Sequence, residues 1–386
     1  MITIQNADKA LKEYYLDAVN AQLNEAISPF YSAIEKSADN VYGKDVKISV
    51  VRSTCGNVMA GTEDGDLPEA YKNRYLALTV PLKNLYGTIE ISDKALRASK
   101  DSSGAFVNLV NAEMEGLISS AKQNFQRMLF GDGTGKLCTI KNKISDGVYK
   151  VDNAKEYFTG MFVDIDATGT FNDCYSLYVK SVDVANSQIT FNRGFNEAVT
   201  NRGMYPHGSK GNELTGLRAI FEGTTLYGNN KTEDSYFKPY EADGGGTLTE
   251  DKLVEILDHM EETFNSKIDI IICSYKTRRK IAAFIANQRR VVNSTDAHAG
   301  TGTVTVNDVP VYADKFCPDD AIYFLNTKDF CFCQLCDWEW LEDESGKILK
   351  QVPGKAAYTA TLVKYAELVC KKPCGQAKLT NFIPED

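Results

Sequence analysis

The chain has few of the side chains on which catalysis usually draws. Histidine occurs three times in 386 residues, as His207, His259 and His298, each far from the others along the chain. No Ser-His-Asp arrangement can be argued from such positions, and no G-x-S-x-G nucleophile turn occurs. No run approaches the roughly 18 consecutive apolar residues of a membrane-spanning helix. The opening stretch, MITIQNADKALKEYY, lacks the basic-then-apolar order of a signal peptide, so synthesis in the cytosol is expected. Cationic excess is also missing: 43 Lys and Arg stand against 52 Asp and Glu, a formal net charge of −9. Tight DNA binding needs clustered cations to neutralise phosphates, so any nucleic-acid contact is expected to be local and weak.

What is present is the composition of a folded protein, 43% hydrophobic and 25% charged, in a chain long enough for two or three lobes. Residues 102–135 organise the reading. Phe106, Leu109, Val110, Leu117, Ile118, Ala121, Phe125, Met128 and Leu129 recur at intervals of three, four and seven, which places them on one face of a helix. Ser102 or Ser103 can cap its start, and Gly131-Asp132-Gly133 can stop it. The pattern also fits an ordinary long core helix.

Upstream, residues 7–38 carry a helical stripe (Leu11, Tyr14, Ala18, Val19, Ile27, Ile34), with Pro29 as a break. Residues 46–53 alternate as a strand. About twenty polar residues follow, then RYLALTVPL and GTIEIS, so a long hairpin that leans on a partner is expected. Between 136 and 212 helical periodicity vanishes, and short strand-like runs separated by Gly, Asn and Asp predict a small barrel or sandwich. From 213 to 330 helix and strand alternate. A capping box from Thr247 to Glu250 precedes a helix with Leu253, Ile256, Leu257, Met260 and Phe264 inward. IDIIIC reads as a buried strand, KTRRKIAAFIANQRR as a basic helix, and VTVNDVPVYAD as a hairpin turning at Asn307-Asp308. The remainder is rich in strands.

Three motifs invite chemical readings that their spacing does not support. GDGTGK at 131–136 follows a helix rather than a strand and has Leu137 where a phosphate loop needs Ser or Thr. Asp164 and Asp166 resemble the start of a calcium loop, but Thr168 and Tyr175 stand at later ligand positions. Cys331, Cys333 and Cys336, with Cys370 and Cys374 downstream, have the residue types of a zinc site, yet they sit among Phe and Leu typical of a core. Buried thiols are expected, with a zinc-binding protein as the alternative of another class. No catalytic, cofactor or metal residues are assigned.

In order and spacing, VPLKNLYGTIEISDKALRAS, RMLFGDGTGKL, TGLRAIFEG and WEWLEDESGKIL…YTATLVKYAELVCKKP resemble the major capsid proteins of tailed bacteriophages. The resemblance implies an α+β fold of the Hong Kong 97 type. Residues 1–45 would be an N-terminal arm and 46–100 an extended hairpin loop overlapping a neighbour. Residues 101–135 would be the spine helix of a peripheral domain and 136–212 a β-rich insertion. Residues 213–330 would be an axial domain, and 331–386 strands completing the peripheral domain. It also implies a non-enzymatic subunit of an icosahedral head shell, located in the virion and assembled in the host cytoplasm. The partners implied are copies of itself in hexamers and pentamers; scaffolding, portal and decoration proteins; and packaged double-stranded DNA touched without sequence readout. No membrane is implied. A nanocompartment shell of the encapsulin type, enclosing an enzyme, is the alternative within the fold. No long charged prefix precedes the arm, so no maturation cleavage is expected. The cross-linking known in the founding member joins a loop Lys to a neighbour's Asn. Here residues 54–73 hold only Lys72, and 327–380 hold no Asn, so non-covalent shells are expected.

Overall fold

The computed structural model describes residues 28–53, 58, 60, 62–63, 72–94, 103–166, 176–194, 200–289, 304–344 and 346–383. The predicted helix before residue 28, most of the loop tip at 54–73, and the side chains of Phe106, Leu109 and Val110 lie outside the described residues.

The spine helix runs Ser103–Leu129. At 1.5 Å per residue it is about 40 Å long. Met114, Ile118, Phe125 and Leu129 are buried on one side, in the helical period read from the sequence. Phe125 meets Tyr31 at 5.0 Å and Phe332 at 5.5 Å, both edge-on. One cluster therefore pins the helix to the N-terminal segment and to the sheet behind it.

Pro29 does not break a helix but starts one. It occupies the first turn of a short helix, Pro29–Ala33, whose cap Ser28 accepts from the Phe30 amide. The missing proline N–H costs nothing there, because first-turn amides have no helical partner. The expectation of helix to residue 38 is corrected: Glu35–Ser37 is a strand, parallel to Phe330–Gln334.

That pairing builds the first six-stranded sheet. Its long strand, Ala357–Cys370, pairs with Phe330–Gln334, Glu339–Trp340 and Lys350–Gln351 along one edge and with Lys83–Ser92 along the other. Residues 83–92, expected in the extended loop, thus belong to this sheet. The hairpin proper is Asp45–Ser53 against Arg74–Pro81.

The second six-stranded sheet has strands in the order Tyr240–Thr247, Ala377–Ile383, Ile322–Leu325, Ile270–Cys273, Val309–Ala313 and Thr305–Val306. Ile271, Cys273, Ile322 and Phe324 face the helices Glu250–Phe264 and Tyr275–Arg289. Ile270, Ile272, Tyr323 and Leu325 face the main core. Burial on both faces is why IIIC and IYFL are unbroken apolar runs. Ala377–Ile383, expected beside Ala357–Cys370, instead pairs within this second sheet, between Tyr240–Thr247 and Ile322–Leu325. The helix cap also shifts: Thr249, not Thr247, accepts from the Lys252 amide. Asn307 and Asp308 both take positive φ, as a two-residue hairpin turn requires.

Strands between Cys138 and Pro206 close into a six-stranded barrel with a core of its own, including Ile140, Tyr149, Val163 and Ile189.

Candidate assembly surfaces and the joint that holds them

Local chemistry explains why barrel, spine and axial lobe meet where they do. After Leu129 the chain turns through Gly131, Gly133 and Gly135, the last two at φ +81 and +77, where glycine is cheap. Asp132 Oδ1 accepts from the Thr134 amide at 2.9 Å and holds the turn. The glycine-rich stretch is thus a structural turn into the barrel. Gly216, on the return from the barrel, lies against this turn. A Cβ there would sit 2.3 Å from Met128 O and 2.7 Å from the Gly131 backbone. The close approach ties TGLRAIFEG to RMLFGDGTGKL.

Buried charge reinforces the contact. Arg127 near the helix end and Glu213 after the barrel are almost wholly buried and form a two-pronged pair at 2.9 and 2.5 Å. Glu156 of the barrel lies 3.9 Å from Arg218. Burial pushes its carboxyl up to about 7, against the pull of Arg127 and Arg218. Glu367, towards the end of strand Ala357–Cys370, is fully buried and accepts from the Thr215 and Leu368 amides at 2.8 and 2.9 Å. Burial also raises this carboxyl to about 7. Asp314 gathers Ser28 Oγ at 2.8 Å and Gln126 Nε2 at 2.9 Å, and so joins N-terminal segment, spine and axial lobe.

The sequence motifs fall into place around this frame. Asp164 accepts from the Ser176 and Gly208 amides and pairs with His207 Nδ1 at 2.8 Å, while Asp166 pairs with Lys210. Both carboxylates of the calcium-like stretch thus hold the barrel's own loops. Cys331 and Cys333 are buried on one strand face with their sulfurs 3.3 Å apart. The eight cysteines among the described residues are free thiols. No group of three or more His, Cys, Asp or Glu able to hold a metal occurs among the described residues, so the zinc alternative finds no ligand set there. His259 lies against Tyr240, ring centres 4.3 Å apart and tilted by 38°, and His298 lies outside the described residues.

The hairpin was expected to lean on a partner. Its inner face, Val46, Ile48, Val50, Leu78 and Val80, instead joins the chain's own core, and Arg52 pairs with Asp234 at 2.9 Å. The outer face differs: Val51 and Tyr75, cross-strand neighbours, are 48% and 66% exposed, while Tyr42, 61% exposed, lies beside Asp45 at the other end of the hairpin. In a single subunit water faces the pair of Val51 and Tyr75.

The SU10 major capsid protein family model matches residues 97–347, from the spine helix through the barrel and axial lobe to the peripheral strands. The chain belongs to that family. It is a shell-forming major capsid protein and a component of the virion. The capsid asymmetric unit of cyanophage A-1(L) superposes with a TM-score of 0.52 at 11% identity, over 92% of this chain and 93% of that one. The capsid of an empty GTA particle gives 0.51 at 10% identity, over 93% and 91%. At such identity these likenesses speak to the fold alone, which is the α+β Hong Kong 97 type. No curated protein matches the sequence. The Arg127–Glu213 and Gly216 contacts of the capsid subunit escaped sequence reasoning, since the ion-paired residues lie 86 positions apart. The only local signal was the glycine in each of the two motifs.

Proposed function

We propose that the subunit assembles through hexamers and pentamers into an icosahedral head in the host cytoplasm, around double-stranded DNA touched without base readout. In this reading residues 1–45 act as an arm, and the outer face of the hairpin overlaps a neighbouring copy. The axial lobe meets its copies around the symmetry axes, and the role is structural rather than enzymatic. The carrying observation is the exposed cross-strand pair Val51 and Tyr75 on a hairpin whose other face is fixed to its own subunit. Exposed apolar area of this kind marks a protein contact. Scaffolding, portal and decoration proteins are the further partners proposed, each on a separate chain.

Overexpressed full-length protein, viewed by electron microscopy, is expected to form closed shells. A stable monomer at high concentration by sedimentation would sink the reading. Shells holding a protein cargo and never DNA during infection would favour the nanocompartment alternative.

A further inference from the structure

We propose that a carboxylate-walled groove on the axial lobe receives the arginines of helix Tyr275–Arg289 from the adjacent copy, and so closes the ring of subunits. The inference rests on the reading of the axial lobe as the ring contact.

The groove, about 670 Å³, opens beside helix Glu250–Phe264. Tyr240 and His259, ring centres 4.3 Å apart and tilted by 38°, line it as well. Its wall is Asp251, Glu255, Asp258 and Glu262, spaced at i, i+4, i+7 and i+11, and therefore one stripe of the helix. All four are exposed, and none forms an ion pair among the described residues. Like charges one turn apart weaken a helix. A stripe of four is a cost to the isolated subunit that a cationic partner would remove.

The same lobe carries the complement. Helix Tyr275–Arg289 opens with Lys276, Arg278, Arg279 and Lys280, and its positive dipole end adds to their charge. Tyr275 is 54% exposed, with the Arg278 guanidinium 5.7 Å from its ring centre. Arg278, Arg279 and Lys280 form no ion pair among the described residues. Both helices cover the same face of the second sheet, yet neither satisfies the other within one chain. Two different, complementary surfaces on one molecule make a head-to-tail contact, which closes into a ring when the rotation allows. Aromatic rings beside a carboxylate wall suit arginine in particular. The planar guanidinium stacks on rings and bonds two carboxylate oxygens at once.

The test uses the full chain and three variants: Glu255→Arg with Asp258→Arg, Arg278→Glu with Arg279→Glu, and all four together. Assembly is read by light scattering and sedimentation over a range of subunit concentrations. Each pair is expected to raise the concentration needed for assembly at least about tenfold, the scale of a single lost charge contact, and the fourfold variant to recover most of that loss. Melting of the unassembled subunit controls for folding. The Glu255→Arg, Asp258→Arg chain is expected to melt no lower than the unaltered one, because its stripe loses repulsion. Either pair assembling as the unaltered chain does, or the fourfold variant assembling no better than the pairs, overturns the groove contact while leaving the shell reading intact. An unaltered chain that forms no rings or shells overturns that reading, and the inference with it.

Discussion

The most exacting positions in this capsid subunit are single polar side chains at the joint between lobes. Glu367 is fully buried, and its carboxyl is raised to about 7 from an ordinary 4.5. A carboxyl with a folded pKa above its unfolded value binds more protons in the folded state. Its contribution is complete at low pH and is lost as pH rises through the window from 4.5 to about 7. The shift corresponds to a loss on the order of 3 kcal/mol at high pH. Glu156, also raised to about 7, acts in the same direction. The urea midpoint of the isolated subunit is therefore expected to fall as pH rises through that window. Glu367→Gln keeps an acceptor for the Thr215 and Leu368 amides without an ionising proton, so its profile should be flatter. An identical pH profile for wild type and variant would show that Glu367 does not titrate in this range. Gly216 is constrained differently. At φ −81 its conformation suits any residue, and it is the neighbouring backbone of Met128 and Gly131 that leaves no room for a Cβ.

At the scale of elements, the barrel is the most separable part. It has its own core, and its entry and exit strands are neighbours: Cys138 lies opposite Met204, and the Leu137 amide donates to Met204 O at 2.8 Å. Replacing residues 139–203 with a short Asn-Gly turn would let the chain close over a gap already spanned by a pair of hydrogen-bonded strands. Arg127 would keep Glu213, while the more exposed Arg218 would lose Glu156, and His207 and Lys210 would lose Asp164 and Asp166. The exposed pair from Lys155 to Asp319 would also be lost, and exposed pairs of this kind cost about 1 kcal/mol or less each. The shortened subunit is expected to be soluble and to unfold in one cooperative transition by circular dichroism. Insoluble protein, or a transition far below that of the full chain, would mean that the barrel supports the rest of the fold. The hairpin is not separable in this way, because Val46, Ile48, Leu78 and Val80 belong to the main core.

At the scale of the whole shell, what holds subunits together is expected to be non-covalent. The amide nitrogen of Gln376 is spent on Asp329 and the Lys372 carbonyl, and its oxygen accepts from the Asn326 amide, so it is no target for a neighbour's lysine. Gln334 is half-buried, Gln351 is exposed, and no Asn occurs from 327 to 380. Mature particles boiled in detergent and reductant should give one band at the mass of a single subunit. A ladder of covalent oligomers would refute this, and Lys72 would be the first residue to examine by mass spectrometry.

The sequence by itself determined what depends on neighbours a few positions away. The spine helix shows in its 3.6-residue period, the buried strands in IIIC and IYFL, the hairpin turn in Asn307-Asp308, and the barrel in its short strands divided by turn residues. Even local chemistry allowed small slips: Thr247 and Thr249 both offer a capping oxygen, and only the geometry of the chain selects Thr249. Tertiary structure alone decided which sheet each strand entered. Ala377–Ile383 alternates no differently for the second sheet than it would for the first, and Glu35–Ser37 becomes a strand only because the edge of Phe330–Gln334 lies beside it. It also decided which buried charges meet. Arg127 and Glu213 gain their pairing from a closed barrel between them, and a linear sequence holds no record of that distance.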